Sequence, residues 1–242
     1  MANIPVIIQA RMSSTRLPGK VLKPFAGKTF LESVLDRCAR TRGISDVICA
    51  TTDGADSDPI AELCERRGYT VWRGSEENVL QRYLDAAHAA KADAVVRITS
   101  DCPLSDPEIT EGVIERFLEG QHALVTTNIP PSWPLGMDSE IVSMRALEEA
   151  AEEASIAAER EHVTTFIRRR PGRYGMLNLP CPTEGFSHWR ITLDTEEDRQ
   201  FFVALADSFK GDITAAGWRE IFAHIEAHPE LLRINLPDQA LS

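Results

Sequence analysis

The chain has 242 residues, of which 43% are apolar and 26% charged, the composition of a globular protein with room for one large domain. Its formal net charge of −11 argues against a general nucleic-acid binder and against a protein of membrane surfaces. The five cysteines are widely spaced, the N-terminal segment lacks the features of a signal peptide, and no segment has the ~20 apolar residues of a membrane span. We therefore expect a cytoplasmic protein with reduced thiols.

Apolar runs of strand length alternate with segments of helical periodicity through the first half of the chain. Strands are predicted at 4–10, 46–52, 69–74 and 93–99, and helices at 29–41, 56–68, 77–92 and 106–120. Strands joined by helices require right-handed crossovers, which favour a parallel arrangement. The pattern predicts an α/β fold with a Rossmann-like, doubly wound and mostly parallel sheet.

The pattern changes after a predicted strand at 122–128. Residues 129–143 are rich in Pro and Gly and predict an ordered loop followed by a short strand. Beyond them we predict helices at 144–154 and 157–170, strands at 173–180 and 189–193, and helices at 195–209 and 214–227. We interpret residues 1–242 as one domain in which residues 129–190 form a small lid, oligomerisation or acceptor-binding element.

The segment "QARMSSTRLPGK" (9–20) directly follows the first predicted strand. From residue 11 to residue 42 there are eight basic and two acidic side chains, a net charge of +6, so the remainder of the chain carries −17. Ligands of open α/β sheets bind at the carboxyl ends of the strands, where this loop should lie. Arg11 and Arg16 can donate paired hydrogen bonds, Lys20 adds a point charge, and small residues expose backbone N–H groups. The loop therefore predicts a small polyanionic ligand, with a nucleoside triphosphate as the leading candidate.

Common phosphate-binding motifs do not explain this loop. Gly27-Lys28-Thr29 ends like a P-loop, but the position that requires the first glycine is Leu22, and no G-x-G-x-x-G follows the first strand. Thr29 is better explained as a helix N-cap, with Glu32 completing a capping box.

Two aspartates follow predicted strands and are candidate metal ligands. Asp101 follows "AVVRIT" and Asp194 follows "WRITL". Carboxylates that meet in the crevice could hold Mg²⁺ against a triphosphate. The alternative for Asp194, or for its neighbour Thr195, is a helix cap.

A second carboxylate motif, Asp56-Ser57-Asp58, has the D-x-D form used by many nucleotide-sugar glycosyltransferases. It stands directly before Pro59 and a helical run, which is typical of a helix N-terminus. We favour the helix N-terminus and keep the glycosyltransferase as an alternative.

Several stretches resemble one family. "IIQARMSSTRLPGKVL" (7–22) resembles the nucleotide-binding loop of the cytidylyltransferases that make CMP-activated sugars. The branch similar to the spore coat polysaccharide biosynthesis F proteins is the most similar, and acylneuraminate and deoxy-octulosonate cytidylyltransferases are more distant. Further similar stretches follow in the family's order: "WRGSEENVLQRY" (72–83), "RITSDCPLSDPEI" (97–109), "REHVT" (160–164) and "RITLDTEEDRQFF" (190–202).

The resemblance implies a fold of the nucleotide-diphospho-sugar transferase type, CTP as donor, an acidic sugar or similar acceptor, Mg²⁺ as cofactor and a homodimer. It also implies roles for particular residues: catalysis by Lys20, Arg11 and Arg16; nucleotide binding by Gln9, Ala10, Ser13, Ser14, Gly19, Arg73, Ser75 and Asn78; acceptor binding by Asp138, Arg160 and His162; and metal binding by Asp101 and Asp194. Some of these assignments have structural alternatives, namely a surface turn and helix cap at 73–78 and a structural histidine at 162. A non-catalytic nucleotide-sensing domain remains a further alternative for the whole chain.

Overall fold

A computed structural model describes residues 2–236. Within this range seven strands form one sheet in the order β5-β4-β1-β6-β8-β7-β9. The strands are β1 (Val6–Gln9), β4 (Val47–Thr52), β5 (Thr70–Gly74), β6 (Ala94–Thr99), β7 (Leu124–Thr126), β8 (Glu140–Ser143) and β9 (Met176–Asn178), while β2 (Pro24–Phe25) and β3 (Lys28–Thr29) form a small separate hairpin.

The sheet is mostly parallel, as predicted. Strand β1 lies between β4 and β6 and pairs in parallel with both, with Ile7 opposite Ile48 on one side and Arg97 on the other. Only β8 runs against its two neighbours, β6 and β7. The carboxyl ends of β1, β4, β5 and β6 therefore meet at one edge of the sheet, and that edge carries the site described below.

Helices cover both faces of the sheet. The helices are α1 (Phe30–Cys38), α2 (Asp58–Arg66), α3 (Val79–Ala89), α4 (Pro107–Glu119), α5 (Met144–Glu153), α6 (Ala157–Glu161), α7 (Thr165–Arg168), α8 (Glu196–Ser208) and α9 (Trp218–Ala227). Helices α1, α2 and α4 bury their apolar sides on one face, and α3, α5 and α7 on the other. Helices α8 and α9 close a third cluster rich in aromatic rings. All five cysteines are buried and unbridged.

Threonine residues cap two of the helices through reciprocal hydrogen bonds. Thr29 caps α1, accepting from the N–H of Glu32 at 3.2 Å, while the Glu32 carboxylate accepts from the N–H of Thr29 at 2.8 Å. Thr195, not Asp194, caps α8, and its capping box is completed by Asp198. The Asp194 side chain is consequently left for other contacts.

The prediction of one helix at 157–170 was wrong. Helix α6 ends at Glu161, His162 occupies its C-terminal cap, and Val163 adopts a φ of +27°, after which α7 begins at Thr165. A β-branched residue with positive φ cannot continue an α-helix. The break leaves the His162 side chain exposed at the end of the short helix.

The predicted strand at 189–193 was also wrong. This extended segment lies between two loops instead of between two strands. It forms one isolated bridge, Leu135 with Arg190, and the Ile191 N–H donates to the Leu135 carbonyl at 2.7 Å. On its other side the Leu193 N–H donates to the Asp101 carbonyl at 2.8 Å. The segment has too few backbone hydrogen bonds to be part of a β-sheet, but hydrogen bonds fix both of its ends.

Residues 129–190 are built into the main sheet. They contribute β8 and β9 as well as α5, α6 and α7. Glu161 and His162, at the end of α6, extend from this region to the carboxyl edge of the sheet. In the part of the chain that the structure describes, no helix has the length and apolar character needed to cross a bilayer.

Candidate active site

A cleft of about 360 Å³ opens at the carboxyl edge of the parallel strands. Its walls come from the end of β1 and the loop after it, the first turns of α3, the end of β6, the end of α6 and the segment before α8. The residues that line it are Gln9, Ala10, Arg11, Ser14, Thr15, Arg16, Lys20, Val79, Arg82, Arg97, Thr99, Ser100, Asp101, Glu161, His162 and Asp194. Five of these side chains are basic and three are acidic, which suits a polyanion.

Lys20 lines the cleft and contacts two of its acidic side chains. It begins a short 3₁₀ turn, Lys20–Leu22, directly after Gly19, whose φ of +65° is readily adopted by glycine. The Lys20 ammonium donates to the Leu193 carbonyl at 2.6 Å and to Asp194 Oδ1 at 2.9 Å, and lies 3.7 Å from Asp101 Oδ2. Its side chain is 12% exposed. A largely buried ammonium thus joins the two aspartates predicted from separate parts of the sequence.

Asp194 is surrounded by positive charge. Besides Lys20, Arg16 approaches Oδ1 at 3.2 Å and Arg190 approaches Oδ2 at 3.2 Å. Burial acts to raise the pKa of Asp194, but the hydrogen bond and charge of Lys20, helped by the two guanidinium groups, hold that pKa below its ordinary value. The side chain is therefore a carboxylate at neutral pH.

Asp101 follows β6 and does not cap a helix; Asp106 caps α4 instead. The Thr99 hydroxyl donates to Asp101 Oδ1, and the Asp101 carbonyl accepts from the Thr192 hydroxyl at 3.1 Å. Asp101 and Asp194, together with Glu161 from the end of α6, are the carboxylates that line the cleft, and carboxylate oxygens are the ligands that a hard divalent cation prefers. No group of three or more acidic, histidine or cysteine side chains suited to a metal occurs within residues 2–236.

The loop after β1 bends tightly over the cleft. The Met12 carbonyl accepts from the N–H groups of Ser14 and Gly19, at 2.9 and 3.1 Å, which closes the loop on itself. Arg11 lies 3.9 Å from both Glu76 and Glu161. Ser14 lines the cleft, whereas Ser13 donates to Glu76 on the outer side and Gly19 acts through its backbone conformation.

The predicted nucleotide-binding residues Arg73, Ser75 and Asn78 make local contacts. Arg73 pairs with Asp58 at 2.7 Å and donates to the Gly54 carbonyl at 2.8 Å. Asn78 caps α3 by accepting from the Gln81 N–H, and the Ser75 hydroxyl accepts from the Asn78 N–H. These contacts fit the alternative of a surface turn and helix cap. None of the three side chains lines the cleft.

The predicted acceptor residues separate. His162 lines the cleft. Asp138 is not among the residues that line the cleft; it accepts from the Asn128 amide and from the Gly136 N–H, and burial raises the pKa of the Asp138 carboxyl. Arg160 turns back to the Ala154 carbonyl at 3.3 Å.

The D-x-D motif lies outside the cleft. Helix α2 begins at Asp58, the residue before Pro59, and the Asp58 carboxylate pairs with Arg73. Asp56 belongs to the short turn that precedes it. These positions favour a structural role for both carboxylates.

Two arginines in the cleft were missed by the reasoning from sequence. Arg97 lies within a predicted strand, and Arg82 within a predicted helix, where a charged residue is usually interpreted as solvent-exposed. Arg97 pairs with the buried Glu140 at 3.1 Å and donates to Gln9 Oε1 at 3.3 Å. Arg82 is 1% exposed. The sequence held a signal for Arg82. It stands four residues after Asn78, a predicted nucleotide-binding residue, and helical spacing therefore puts it on the same side of α3 as Asn78 and Val79.

The profile of one protein family, described as cytidylyltransferase, matches residues 5–227. The chain belongs to the cytidylyltransferase family. It is accordingly a nucleotidyltransferase that uses CTP, as the resemblance of the opening loop implied.

Three proteins are similar in sequence to most of this cytidylyltransferase. An uncharacterised protein of Methanocaldococcus jannaschii is 34% identical over 95% of this chain and 93% of its own length. The spore coat polysaccharide biosynthesis protein SpsF of Bacillus subtilis is 35% identical over 85% of this chain and 87% of its own. The structure of a cytidylyltransferase from Leptospira borgpetersenii is 30% identical, covers 98% of both chains and superposes with a TM-score of 0.92.

A more distant structure shares the fold. The CMP:2-keto-3-deoxy-manno-octonic acid synthetase, solved in complex with CTP, is 16% identical to this chain, covers 85% of it and has a TM-score of 0.67. The prediction of a nucleotide-diphospho-sugar transferase type of fold is confirmed.

Proposed function

We propose that this cytidylyltransferase transfers CMP from CTP to an acidic sugar or similar small acceptor, with Mg²⁺ as cofactor, in the biosynthesis of a surface polysaccharide or other glycan. A hydroxyl of the acceptor attacks the α-phosphorus of CTP in line and loses its proton. The new O–P bond replaces the bond between the α- and β-phosphates, and pyrophosphate leaves. The name of the Bacillus subtilis relative supports the link to polysaccharide synthesis.

The position of Lys20 carries this proposal. Its ammonium lies among the carboxylates and carbonyls at the end of the cleft, within 2.9 Å of Asp194. Arg11 and Arg16 line the same region from the loop after β1. Three cations held by a closed loop would neutralise a triphosphate and the pyrophosphate that leaves, which is the main requirement for phosphoryl-type transfer. The remaining loop residues, Gln9, Ala10, Ser13, Ser14 and Gly19, would bind the nucleotide through backbone and hydroxyl groups.

Asp101 and Asp194 would hold Mg²⁺. Both offer carboxylate oxygens, and both already share one positive charge, the ammonium of Lys20, at 3.7 and 2.9 Å. Mg²⁺ is typically bound by one or two carboxylates together with substrate phosphates, so a site with two carboxylates suits it. The bound ion would act as a Lewis acid on the phosphate oxygens.

The acceptor would bind beside His162, on the part of the cleft formed by β6 and α6. Arg97 lies there, paired with the buried Glu140, which also accepts a hydrogen bond from Arg168. The Arg97 guanidinium lines this part of the cleft and could pair with the carboxylate of an acidic acceptor. Residues 129–190 would form this acceptor element of a single domain, with Asp138 and Arg160 in supporting positions and a homodimer as the assembly.

The decisive experiment measures pyrophosphate release from CTP with Mg²⁺ over a panel of acidic sugars. CTP with Mg²⁺ should also raise the melting temperature more than ATP, GTP or UTP, because a ligand that binds only the native state stabilises it. Equal shifts of the melting temperature with all four nucleotides would contradict a preference for CTP.

Two further measurements test the cofactor and the assembly. Release of pyrophosphate in the presence of a chelator, without added metal, would contradict the role of Mg²⁺. Sedimentation as a monomer would contradict the homodimer.

A further inference from the structure

Arg190 joins the candidate metal ligand Asp194 to a second, buried carboxylate. Its guanidinium donates to both oxygens of Asp198, from Nε and from Nη2, at 2.8 Å each. The same Nη2 donates to Asp194 Oδ2 at 3.2 Å. The Asp198 side chain is 1% exposed and the Asp194 side chain is 19% exposed. A paired contact to a buried carboxylate fixes the plane of a guanidinium, so the direction of the donor toward Asp194 is fixed as well.

Asp198 is itself held from several directions. Its carboxylate accepts from the backbone N–H groups of Asp194 and Thr195, at 2.9 and 3.0 Å. It also accepts from the amide of Asn235 at 3.0 Å, and that amide donates to the Arg190 carbonyl at 3.1 Å. Asp198 therefore anchors Asp194 twice, through its backbone directly and through its side chain by way of Arg190.

A capping box by itself does not require these contacts. Helix α1 begins with the same box, in which the Glu32 carboxylate accepts from the N–H and the hydroxyl of Thr29, at 2.8 and 2.9 Å. The Glu32 side chain is 19% exposed, and its ion pair with Arg67 is 3.7 Å long. Asp198 holds the corresponding position in α8 but is buried and binds a paired arginine. The contrast indicates a role for this arginine beyond the start of the helix.

The two oxygens of the Asp194 carboxylate face different cations. Oδ2 accepts from Arg190, whereas Oδ1 accepts from Lys20 at 2.9 Å and lies 3.2 Å from Arg16. The Arg16 side chain is 61% exposed, whereas that of Arg190 is 22% exposed and is fixed by Asp198. Because rotation of the carboxylate would break the Oδ2 contact, Arg190 keeps Oδ1 directed at Lys20.

We propose that Arg190 is a positioning residue for Asp194, and that Asp198 and Asn235 hold it in place for this role. Arg190 is not among the residues that line the cleft, so it acts through Asp194 instead of contacting the substrates. Groups that orient the ligands of a metal site commonly contribute about 10–100-fold to metal affinity or activity. This inference rests on the proposed function, in which Asp194 binds Mg²⁺.

The first test determines the orientation of Asp194 directly and needs no activity. Crystal structures of Arg190→Met and Arg190→Lys should show the Asp194 carboxylate rotated, with Oδ1 beyond hydrogen-bond distance of Lys20. Arg190→Lys keeps a positive charge beside Asp198 and so covers the case in which Arg190→Met does not fold. Arg16→Met removes the exposed cation from the same carboxylate and is the control, which should leave Asp194 in place. An unchanged Asp194 in any Arg190 variant that folds would overturn the proposal.

The second test measures how much Mg²⁺ strengthens the binding of CTP, by calorimetry with Mg²⁺ and with EDTA. Arg190→Lys should reduce this gain about tenfold or more, the usual effect of losing a group that orients a metal ligand, while affinity in EDTA stays nearly the same. Asn235→Ala should reduce the gain less, because it removes only an outer contact. Glu32→Gln, which alters the matching carboxylate of the α1 capping box, is the control and should preserve the gain.

Two outcomes of this second test would overturn the proposal. One is an unchanged gain in Arg190→Lys. The other is a gain that falls with the melting temperature in the same proportion in all three variants, since that would show a structural role alone. If Mg²⁺ does not strengthen CTP binding in the unmodified protein, the proposed metal role fails, and the crystal structures alone decide whether Arg190 positions Asp194.

Discussion

Lys20 donates a hydrogen bond of 2.9 Å to Asp194, although 174 residues separate the two in the chain. The same ammonium donates to the Leu193 carbonyl, so it binds both the side chain and the backbone of the segment before α8. This contact joins the loop after β1 to the segment that precedes α8. It sets the distance between a cation that we propose binds phosphate and a candidate metal ligand.

Lys20→Ala should lower turnover by roughly 10²-fold or more, the usual effect of losing one preorganised electrostatic donor. The fold should persist, because Arg16 and Arg190 still neutralise Asp194. Pyrophosphate release gives the rate, and thermal unfolding checks the fold. Lys23→Ala, three residues further along the chain and outside the cleft, is the matched control; equal activity in the two variants would mean that the phosphates bind elsewhere.

Asp101→Asn and Asp194→Asn should each abolish most activity and weaken the apparent affinity for Mg²⁺, since each removes a charged ligand and preserves the side-chain shape. Excess Mg²⁺ should restore activity only in part. The measurement is activity as a function of Mg²⁺ concentration.

Asp56→Asn and Asp58→Asn provide the controls for this pair. Asp58 loses one exposed ion pair with Arg73, an interaction usually worth about 0–1 kcal/mol, so both variants should stay active. Inactive controls beside active variants at 101 and 194 would instead favour the D-x-D glycosyltransferase.

Asp194 should make the stability of the protein depend on pH in the acidic range. Its pKa in the folded state is depressed, whereas in the unfolded chain an aspartate titrates near about 3.9. The stabilisation is therefore complete above the unfolded value and disappears as the pH falls through the folded value. Urea unfolding should show that Asp194→Asn lowers the free energy of unfolding at pH 6–7, with a difference that narrows below about pH 4. A difference that is constant with pH would show that the Asp194 contacts do not stabilise the fold through charge.

Gly136→Ala should destabilise the protein and displace the segment that carries Asp194. Gly136 has a φ of +100°, and a Cβ there would lie 2.0 Å from the Ile191 carbonyl oxygen, which is backbone. We expect a loss of at least about 2 kcal/mol in the free energy of unfolding, together with lower activity. Gly172→Ala is the control, because its Cβ would meet nothing within 4 Å. Equal stability of the two variants would show that the loop at 135–137 moves freely.

The elements that the sequence predicted best are those in which local chemistry and burial agree. The apolar strand at 94–99 and the capping box at Thr29 and Glu32 appear as expected. The helix at 157–170 was predicted from apolar periodicity alone, and periodicity does not report the positive φ of Val163. The segment at 189–193 has a strand's composition but lies between loops, and only the tertiary structure determines which backbone groups lie beside it.

The amino-acid sequence by itself determined the alternation of strands and helices, the excess of basic residues after the first strand, and the family. These depend on residues near one another in the chain, where periodicity, capping and charge can be counted. Only the tertiary structure decided that Lys20 lies between Asp101 and Asp194, and that Arg73 turns away from the cleft. Contacts of this kind depend on crossovers that bring distant residues to one edge of the sheet, and the cost of burying a charge can be judged only when all of its neighbours are known.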